Sequence, residues 1–440
     1  MVHSFAFVLL FLLPSSAFAS RHDHRQNHNH EHVSARQLPG SWFHRDDHPV
    51  RALFRRADAT DGVAYPAVGS QEWKSAYPSQ WGPPAKIPDT WAAALKAAIE
   101  RKAIPDIPVA QVDKNAPDGG GTPAYPKEFD PNGPIVCSAT YKCRIPGDIW
   151  DAPDGQLALS FDDGPTQASD ELLDFLIANK QTATHFMIGS NLLDNPKQFL
   201  KTFSTNGDIA VHTWSHQYTT TLSNEQVVAE LGWTMQLIHD STGGRVPRYW
   251  RPPYGDSDCR TRAIAKEVFG LTTVIWNQDT ADWSLASTPP GTTLAKINAS
   301  MTEWLKTKSP GLVILEHETS SLSVQAFKAA YPVMKETQWK VVSLSQMFGN
   351  GTGYWNAADN LSPVKPVVNL VDATKANAGP VSSSSRPAAS TPTGQVFNNN
   401  KNASPSSKPS PSPSAKSSAT LQTVSPRTIL LSLFFVSLFA

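Results

Sequence analysis

The sequence predicts an α/β protein: a distorted (β/α) barrel of the TIM type, with about seven parallel strands and disordered flanks. Between residues 157 and 343, short apolar runs alternate with amphipathic helical patterns. Repeated β-then-α units with short connections place parallel strands inside a layer of helices. Seven such units in roughly 200 residues match the size of a TIM-type barrel. Beyond about residue 350 the pattern stops, and a chain dominated by Ser, Pro and Thr cannot bury a core.

The individual elements follow from the spacing of apolar residues. Leu157, Leu159 and Phe161 alternate with smaller residues, which indicates a buried strand. Either Ser223 or Asn224 is expected to cap the helix that starts there. The predicted strands are Leu157–Phe161, Thr184–Ile188, Asp208–His212, Tyr249–Arg251, Thr272–Trp276, Leu312–Glu316 and Lys340–Ser343. The predicted helices are Trp91–Ala103, Ser169–Asn179, Pro196–Ser204, Asn224–Ser241, Arg260–Phe269, Thr292–Lys306 and Val324–Thr337.

Both ends of the chain carry targeting signals. An apolar run followed by Ala17-Phe18-Ala19 predicts a secretory signal peptide over residues 1–19. The apolar stretch 428–440 is shorter than the roughly 20 residues that a spanning helix needs. With the small residues near Ser417 and a polar spacer, it predicts a GPI-attachment signal over 417–440, with Ser417 as the attachment site; a tail anchor is the alternative. We therefore expect a secreted monomer, held by a GPI anchor on the extracellular face of the cell membrane and in the cell wall.

The segments between these signals and the barrel have distinct compositions. Residues 20–56 form a His-rich tract, interpreted as a solvated prosegment with loose metal binding as the alternative, and Arg55-Arg56 is a candidate processing site. Residues 57–150 read as an irregular N-terminal extension, and 351–416 as a Ser/Thr/Pro-rich, O-glycosylated linker. The formal net charge is +0, so nothing indicates nucleic-acid binding.

Two kinds of covalent modification are also predicted. N-glycosylation sequons begin at Asn298, Asn350, Asn360 and Asn402. The secretory route favours disulfides, and the chain has three cysteines, Cys137, Cys143 and Cys259. Three single pairings are open, and the sequence does not choose among them.

Two adjacent carboxylates close the first predicted strand. Asp162 and Asp163 end the run LALSF and are followed at once by Gly164-Pro165, which breaks the strand. This places both acids at the C-terminal mouth of a strand, where α/β proteins usually hold their chemistry. We expect one carboxylate to serve a metal and the other to serve a proton.

Four further strand ends carry reactive groups. His212 and His216 lie four residues apart, so they share a face if their segment is helical, and imidazoles favour zinc. The other three clusters hold Arg251 in RPPYG, Asp279 and Asp282 in DTADW, and His317 in LEH. Each has an ordinary structural explanation when taken singly, but five clusters at five strand ends indicate one site. His185, within a strand, and His239, on a helix, are expected to be structural.

Five motifs, SFDDGP, HTWSH, RPPYG, DTADW and LEH, therefore occur in this order between residues 155 and 348. In this the chain resembles the polysaccharide deacetylase family (carbohydrate esterase family 4, the NodB homology domain), and most closely its fungal chitin deacetylases. The one departure is Ser160, where Thr is commoner. The resemblance implies a catalytic domain at 151–350 and a divalent metal, Zn²⁺ or alternatively Co²⁺, held by Asp163, His212 and His216.

The resemblance also implies roles for the remaining side chains. Asp162 would be the general base, oriented by Arg251, and His317 the general acid, tuned by Asp282. The residues implied to contact substrate are Tyr254, through its backbone N–H at the oxyanion, and Trp283 and Leu315 as walls of the acetyl pocket. Asp279 receives no role.

The implied reaction is metal-dependent hydrolysis of the N-acetyl groups of N-acetylglucosamine units in chitin, giving chitosan and acetate. Because an amide is a poor electrophile, it needs a polarised carbonyl, an activated water and a proton for the leaving nitrogen. The expected partners are chitin, chitin oligomers and cell-wall polysaccharide. Two alternatives stay open: a deacetylase of another acetylated polysaccharide such as xylan or peptidoglycan, and a non-catalytic chitin-binding wall protein.

Overall fold

The computed structural model describes residues 60–79, 81–112, 121–348 and 351–372. Within these ranges parallel strands alternate with helices. The strands are β1 Gln156–Gly164, β2 Thr184–Met187, β3 Asp208–Val211, β4 Tyr249–Trp250, β5 Thr272–Thr273, β6 Gln278–Asp279, β7 Leu312–Leu315 and β8 Lys340–Ser343. The helices are α1 Gln71–Ser75, α2 Asp89–Glu100, α3 Ser169–Ala178, α4 Gly189–Asp194, α5 Pro196–Ser204, α6 Asn224–Ser241, α7 Cys259–Phe269, α8 Leu294–Trp304, α9 Ser321–Glu336 and α10 Leu344–Met347.

The strands form one curled sheet in the order β5-β4-β3-β2-β1-β7-β6, with β8 also paired to β1. Every strand pair is parallel. The chain ahead of β1 bridges the gap in the curl, since Ile149 pairs with Val274 beyond β5 and Ala152 pairs with Gly311 before β7. The predicted distorted (β/α) barrel is confirmed. Strand β6 was not predicted, because its two residues, Gln278 and Asp279, are both polar and show no apolar pattern.

Strand β1 lies at the centre of the sheet and is buried on both faces. Leu157, Leu159 and Phe161 join the cluster that packs against the outer helices, whereas Ala158 belongs to the cluster inside the curl. Because side chains alternate along a strand, Ser160 and Asp162 continue the inward-facing row that Ala158 begins. The position of Asp162 in the strand therefore directs its side chain toward the inside of the barrel.

The N-terminal extension contributes to the same core. Trp73 of α1 and Trp91 of α2 are buried in one cluster with residues of α6 and α7. Trp91 occupies a space that exists because residue 232 is glycine: a Cβ there would lie 2.4 Å from Trp91 Cζ3. The extension is therefore packed rather than merely attached, although its chain between the two helices is irregular.

Two predictions fail in the segment after the barrel. The predicted linker 351–416 is wrong over residues 351–372, where Tyr354 is buried and Arg245 donates to the backbone carbonyls of Asp359 and Ser362. Glycosylation at Asn360 is also contradicted. Its amide donates to two main-chain carbonyls, at 2.7 and 3.1 Å, and accepts from the Tyr354 hydroxyl at 2.8 Å, which leaves no room for a sugar.

Of the three disulfide pairings, the structure forms Cys137–Cys143 and leaves Cys259 as a partly buried thiol. Asn298 is exposed on α8, and its glycosylation stays a prediction. In the described part of the chain, we find no helix with the length and apolar character needed to cross a bilayer. The signal peptide, the His-rich tract, Asn350, Asn402 and the GPI signal with Ser417 lie outside the described residues.

Candidate active site

The two carboxylates at the end of β1 point in different directions. The pairing of β1 with β2 shifts register between Asp162 and Gly164, and Asp163 has a left-handed φ of 68°. Bulges of this kind re-aim side chains. Asp162 stays in line with the strand: its N–H donates to the Glu316 carbonyl and its own carbonyl accepts from the Glu318 N–H. The segment after β7 is thereby held alongside Asp162.

Asp162 is held by a fully buried arginine. Arg251, directly after β4, donates from Nη1 to Asp162 Oδ1 at 2.6 Å and from Nη2 to Ser160 Oγ at 3.0 Å. Its guanidinium also lies over the ring of Phe186 at 4.2 Å. Burial lowers the pKa of Arg251, but the Asp162 carboxylate opposes that shift, and the guanidinium remains charged. The pair fixes one carboxylate oxygen and leaves Oδ2 facing the site, 3.9 Å from His212 Nε2.

Asp163, His212 and His216 converge on one point. Asp163 Oδ1 lies 3.1 Å from His212 Nε2 and 3.0 Å from His216 Nε2. The three candidate ligand atoms all lie within 4.8 Å of one another. Burial raises the pKa of Asp163, but the two imidazoles together hold it well below its ordinary value.

The hydrogen bonds of His212 test whether this cluster fits a metal. Its Nδ1 lies 2.7 Å from the Arg251 carbonyl, which can only accept, so we assign the proton to Nδ1. The low pKa of Asp163 belongs to the state in which the imidazoles donate to it; in the neutral His212 ring, Nε2 instead presents a lone pair toward the Asp163 oxygen, an arrangement that a cation between them would stabilise. One carboxylate and two imidazoles suit zinc and related divalent ions. These three residues therefore fit a divalent metal site.

The two histidines are brought together by a loop and not by a helix. Residues 212–216 follow β3 without helical structure, and Thr213 and His216 have left-handed φ values of 62° and 57°. The carbonyls of Thr213 and Trp214 accept from the backbone N–H groups of Gly189 and Ser190, at the start of α4. The shared helical face considered from the four-residue spacing is thus not the reason that His212 and His216 meet.

His317 and Asp282 form a second buried pair. Asp282 accepts twice from His317: from Nδ1 at 2.6 Å and from the backbone N–H at 2.9 Å. Burial disfavours the imidazolium, but the Asp282 carboxylate outweighs it and raises the pKa of His317 to about 9. A backbone bridge joins His317 to Asp162 on β1. A protonated imidazole and an arginine-bound carboxylate are thus neighbours across the sheet.

The residues expected to contact substrate lie around this centre. Tyr254 sits in a single 3-10 turn, Pro253–Gly255, with a left-handed φ of 59° and a half-exposed ring. Its hydroxyl is 3.2 Å from His216 Nδ1, and its ring stacks on Tyr218 with centroids 4.2 Å apart. Trp283 is 56% exposed in the turn Asp282–Ala286, whereas Leu315 is buried at the end of β7.

The structure adds a residue that sequence reasoning missed. Glu230, in the middle of α6, is fully buried and accepts from the N–H groups of Trp214 and Ser215. A single carboxylate on a helix has no local signal that would reveal such a contact. Asp279, the last residue of β6, has no assigned role and accepts from the Ala281 N–H. His185 pairs with Glu318 at 2.9 Å in the buried interior.

Comparison with known proteins places this site in a family. Residues 151–274 match the model of the family described as polysaccharide deacetylase. "Chitin deacetylase 3" of Cryptococcus neoformans is 41% identical over 322 residues, which are 72% of this chain and 74% of that protein. "Chitin deacetylase 2" of the same species is 35% identical over 359 residues, 76% of this chain and 74% of that one.

A similar solved structure is the chitin deacetylase of Colletotrichum lindemuthianum, with a TM-score of 0.43 and 20% identity, covering 47% of this chain and 94% of that one. Fold and site together define a (β/α) barrel protein whose strand ends bring paired carboxylates, imidazoles and an arginine together. The chain belongs to the polysaccharide deacetylase family, and is a deacetylase.

Proposed function

We propose that this deacetylase removes N-acetyl groups from the N-acetylglucosamine units of chitin and releases acetate. The observation that carries the proposal is the arrangement of Asp162 and His317. A carboxylate bound by Arg251 and an imidazolium bound by Asp282 lie on adjoining strand ends beside the Asp163, His212 and His216 cluster. The named relatives support chitin as the substrate.

In the proposed mechanism, Asp163, His212 and His216 hold a divalent cation, with Zn²⁺ as the first candidate. When bound, such an ion supplies Lewis acidity for the acetyl carbonyl and for a water molecule. Asp162 acts as general base and removes a proton from the attacking water through Oδ2, since Arg251 occupies Oδ1. The Tyr254 N–H donates to the oxygen that gains charge as the tetrahedral intermediate forms.

The leaving nitrogen then needs a proton. His317, kept protonated by Asp282, donates from Nε2 as the C–N bond breaks. The products are acetate and a glucosamine unit with a free amine. The partners of the two groups assign their opposite roles. Arg251 stabilises the carboxylate form of Asp162, which can take a proton, and Asp282 stabilises the imidazolium form of His317, which can give one.

The aromatic side chains around the catalytic groups support a polymeric sugar as the substrate. Trp283 and Tyr254 expose more than half of their surface beside the catalytic groups. Exposed aromatic rings next to a site provide flat apolar faces on which sugar rings can stack. Leu315 is proposed to close the side of the acetyl pocket next to Trp283.

The test is acetate release from chitin oligomers, with chelation and add-back of Zn²⁺ or Co²⁺, and with acetylxylan and peptidoglycan fragments as competing substrates. Asp162→Asn should keep fold and metal but lose acetate release, and His212→Ala should lose the metal. Release from xylan or peptidoglycan alone would reassign the substrate. Binding of chitin without any release would favour the non-catalytic wall protein.

We propose that the reaction takes place outside the cell. The predicted signal peptide over 1–19 and the GPI signal over 417–440 support secretion, attachment to the membrane and residence in the cell wall. A chain truncated before Ser417 should appear in the medium. The proposed attachment region would be wrong if the truncated chain stayed attached to the membrane and a GPI-cleaving phospholipase released it.

A further inference from the structure

One buried carboxylate far from the motifs holds the loop between the two histidines. Glu230 Oε2 accepts from the backbone N–H groups of Trp214 and Ser215, at 2.7 and 2.8 Å. Its Oε1 accepts from the Ser215 hydroxyl at 2.5 Å. The Glu230 side chain is thus bound by three donors, all of which belong to the short stretch that separates His212 from His216.

This loop needs such a partner. It begins and ends with left-handed non-glycine residues, Thr213 and His216, a backbone state that persists only where the surroundings impose it. Its buried N–H groups at Trp214 and Ser215 would lack acceptors without Glu230, since the loop makes no helical or strand hydrogen bonds there. The other side of the loop is held by the start of α4, through the carbonyls of Thr213 and Trp214.

We infer that Glu230 is a positioning residue for the metal centre. It holds the loop in the one shape that directs both imidazole Nε2 atoms at Asp163 Oδ1. The inference rests on the proposed metal site, and assigns its geometry partly to α6, outside the five motifs. Residues that orient metal ligands typically change metal affinity by about 10–100-fold when they are removed, so Glu230→Ala should weaken Zn²⁺ binding by about that factor.

The alternative is that Glu230 only stabilises the fold. The matched control is Thr234→Val, one turn further along α6. Thr234 is also fully buried, and its hydroxyl donates to the Glu230 carbonyl within the helix rather than to the loop. If Glu230 had a purely structural role, Glu230→Ala and Thr234→Val would both lower thermal stability, and neither would have a specific effect on metal binding.

Two further variants sharpen the test. Glu230→Gln can still accept from both N–H groups through its oxygen and donate to Ser215 Oγ, so it should restore Zn²⁺ affinity to within about threefold. Ser215→Ala removes one of the three hydrogen bonds and should cost about 3–10-fold in affinity. Because Ser215→Ala is a small change, it decides the question if Glu230→Ala does not fold.

The measurement is the Zn²⁺ dissociation constant of each full-length variant, by competition with a chromophoric chelator, together with the visible absorption of the Co²⁺-loaded protein. We expect weakened Zn²⁺ binding and an altered Co²⁺ spectrum for Glu230→Ala, and wild-type behaviour for Thr234→Val. Unchanged affinity and spectrum in Glu230→Ala, or unchanged affinity in Ser215→Ala, would overturn the inference. Failure of the wild-type protein to bind metal would instead refute the proposed metal site.

Discussion

Replacing Asp282 by asparagine tests how His317 is kept protonated. The substitution preserves size and one hydrogen-bond acceptor but removes the charge that lies 2.6 Å from Nδ1. Burial alone disfavours the imidazolium, so without this charge the pKa of His317 should fall from about 9 to its ordinary 6.5 or below. That interval corresponds to about 300-fold in the protonation equilibrium, or about 3.4 kcal/mol.

The expected effect on the rate depends strongly on pH. A general acid is active in its protonated form, so activity is lost as pH rises through the pKa of His317. At about pH 8, His317 would be about 90% protonated in the wild type but about 3% or less in Asp282→Asn, a loss of about 30-fold or more. At about pH 5.5 both proteins would be at least partly in the active form, and their rates should approach each other.

The assay is acetate release from a chitin oligomer at saturating concentration, measured across pH, with metal content checked at each point. The alkaline limb of the kcat profile should move to lower pH in Asp282→Asn. An equal loss of rate at every pH, with the alkaline limb unmoved, would refute the reasoning, because it would show that Asp282 acts by something other than the His317 proton.

Three further substitutions have defined outcomes. Gly164→Ala would place a Cβ 2.2 Å from Glu318 Oε1 in a buried site, and should lower the free energy of unfolding by about 1–3 kcal/mol in denaturant titrations. Arg251→Met would leave the Asp162 carboxylate buried and unpaired, and should cost about 3–5 kcal/mol, part of which Asp162→Asn in the same chain restores. Trp283→Ala should leave stability within about 0.5 kcal/mol but raise the KM for chitin oligomers by about 3–10-fold.

Each of these has a control on the same chain. Gly353→Ala adds a Cβ whose nearest neighbour is 3.5 Å away, so it should be tolerated where Gly164→Ala is not. Trp81→Ala removes another exposed indole and should leave KM unchanged. The charge argument for Arg251 would be wrong if adding Asp162→Asn destabilised the Arg251→Met protein further. The stacking argument for Trp283 would be wrong if Trp283→Ala had a wild-type KM.

The sequence was most informative where a strand and its chemistry are adjacent. Alternation in Leu157–Phe161 located β1, and the acids that follow it therefore had to lie at the end of a central strand. The remaining motifs were located in the same way, by the apolar runs before them. The sequence did not predict strand β6, because the position of this strand depends on its pairing with β7 rather than on its own two residues.

Local patterns failed where long-range contacts decide the structure. The spacing of His212 and His216 suggested a helical face, but the loop shape is imposed by Glu230 and by the start of α4. The sequon at Asn360 carries no information on burial, which Arg245 and its neighbours create by holding the segment 351–372. Such contacts join residues that are distant along the chain, so no window of sequence contains both partners.

The packing of Trp91 against Gly232 indicates that the cooperative folding unit begins before the barrel. The residues matched to the family start at 151, yet a chain cut there would lose the indoles of Trp73 and Trp91 from the main core. Removing one large aromatic side chain commonly costs about 3–5 kcal/mol, and a whole domain is stable by only about 5–15 kcal/mol. A boundary drawn by homology would therefore expose the barrel to unfolding, whereas cleavage after Arg56 would retain every described contact of the extension.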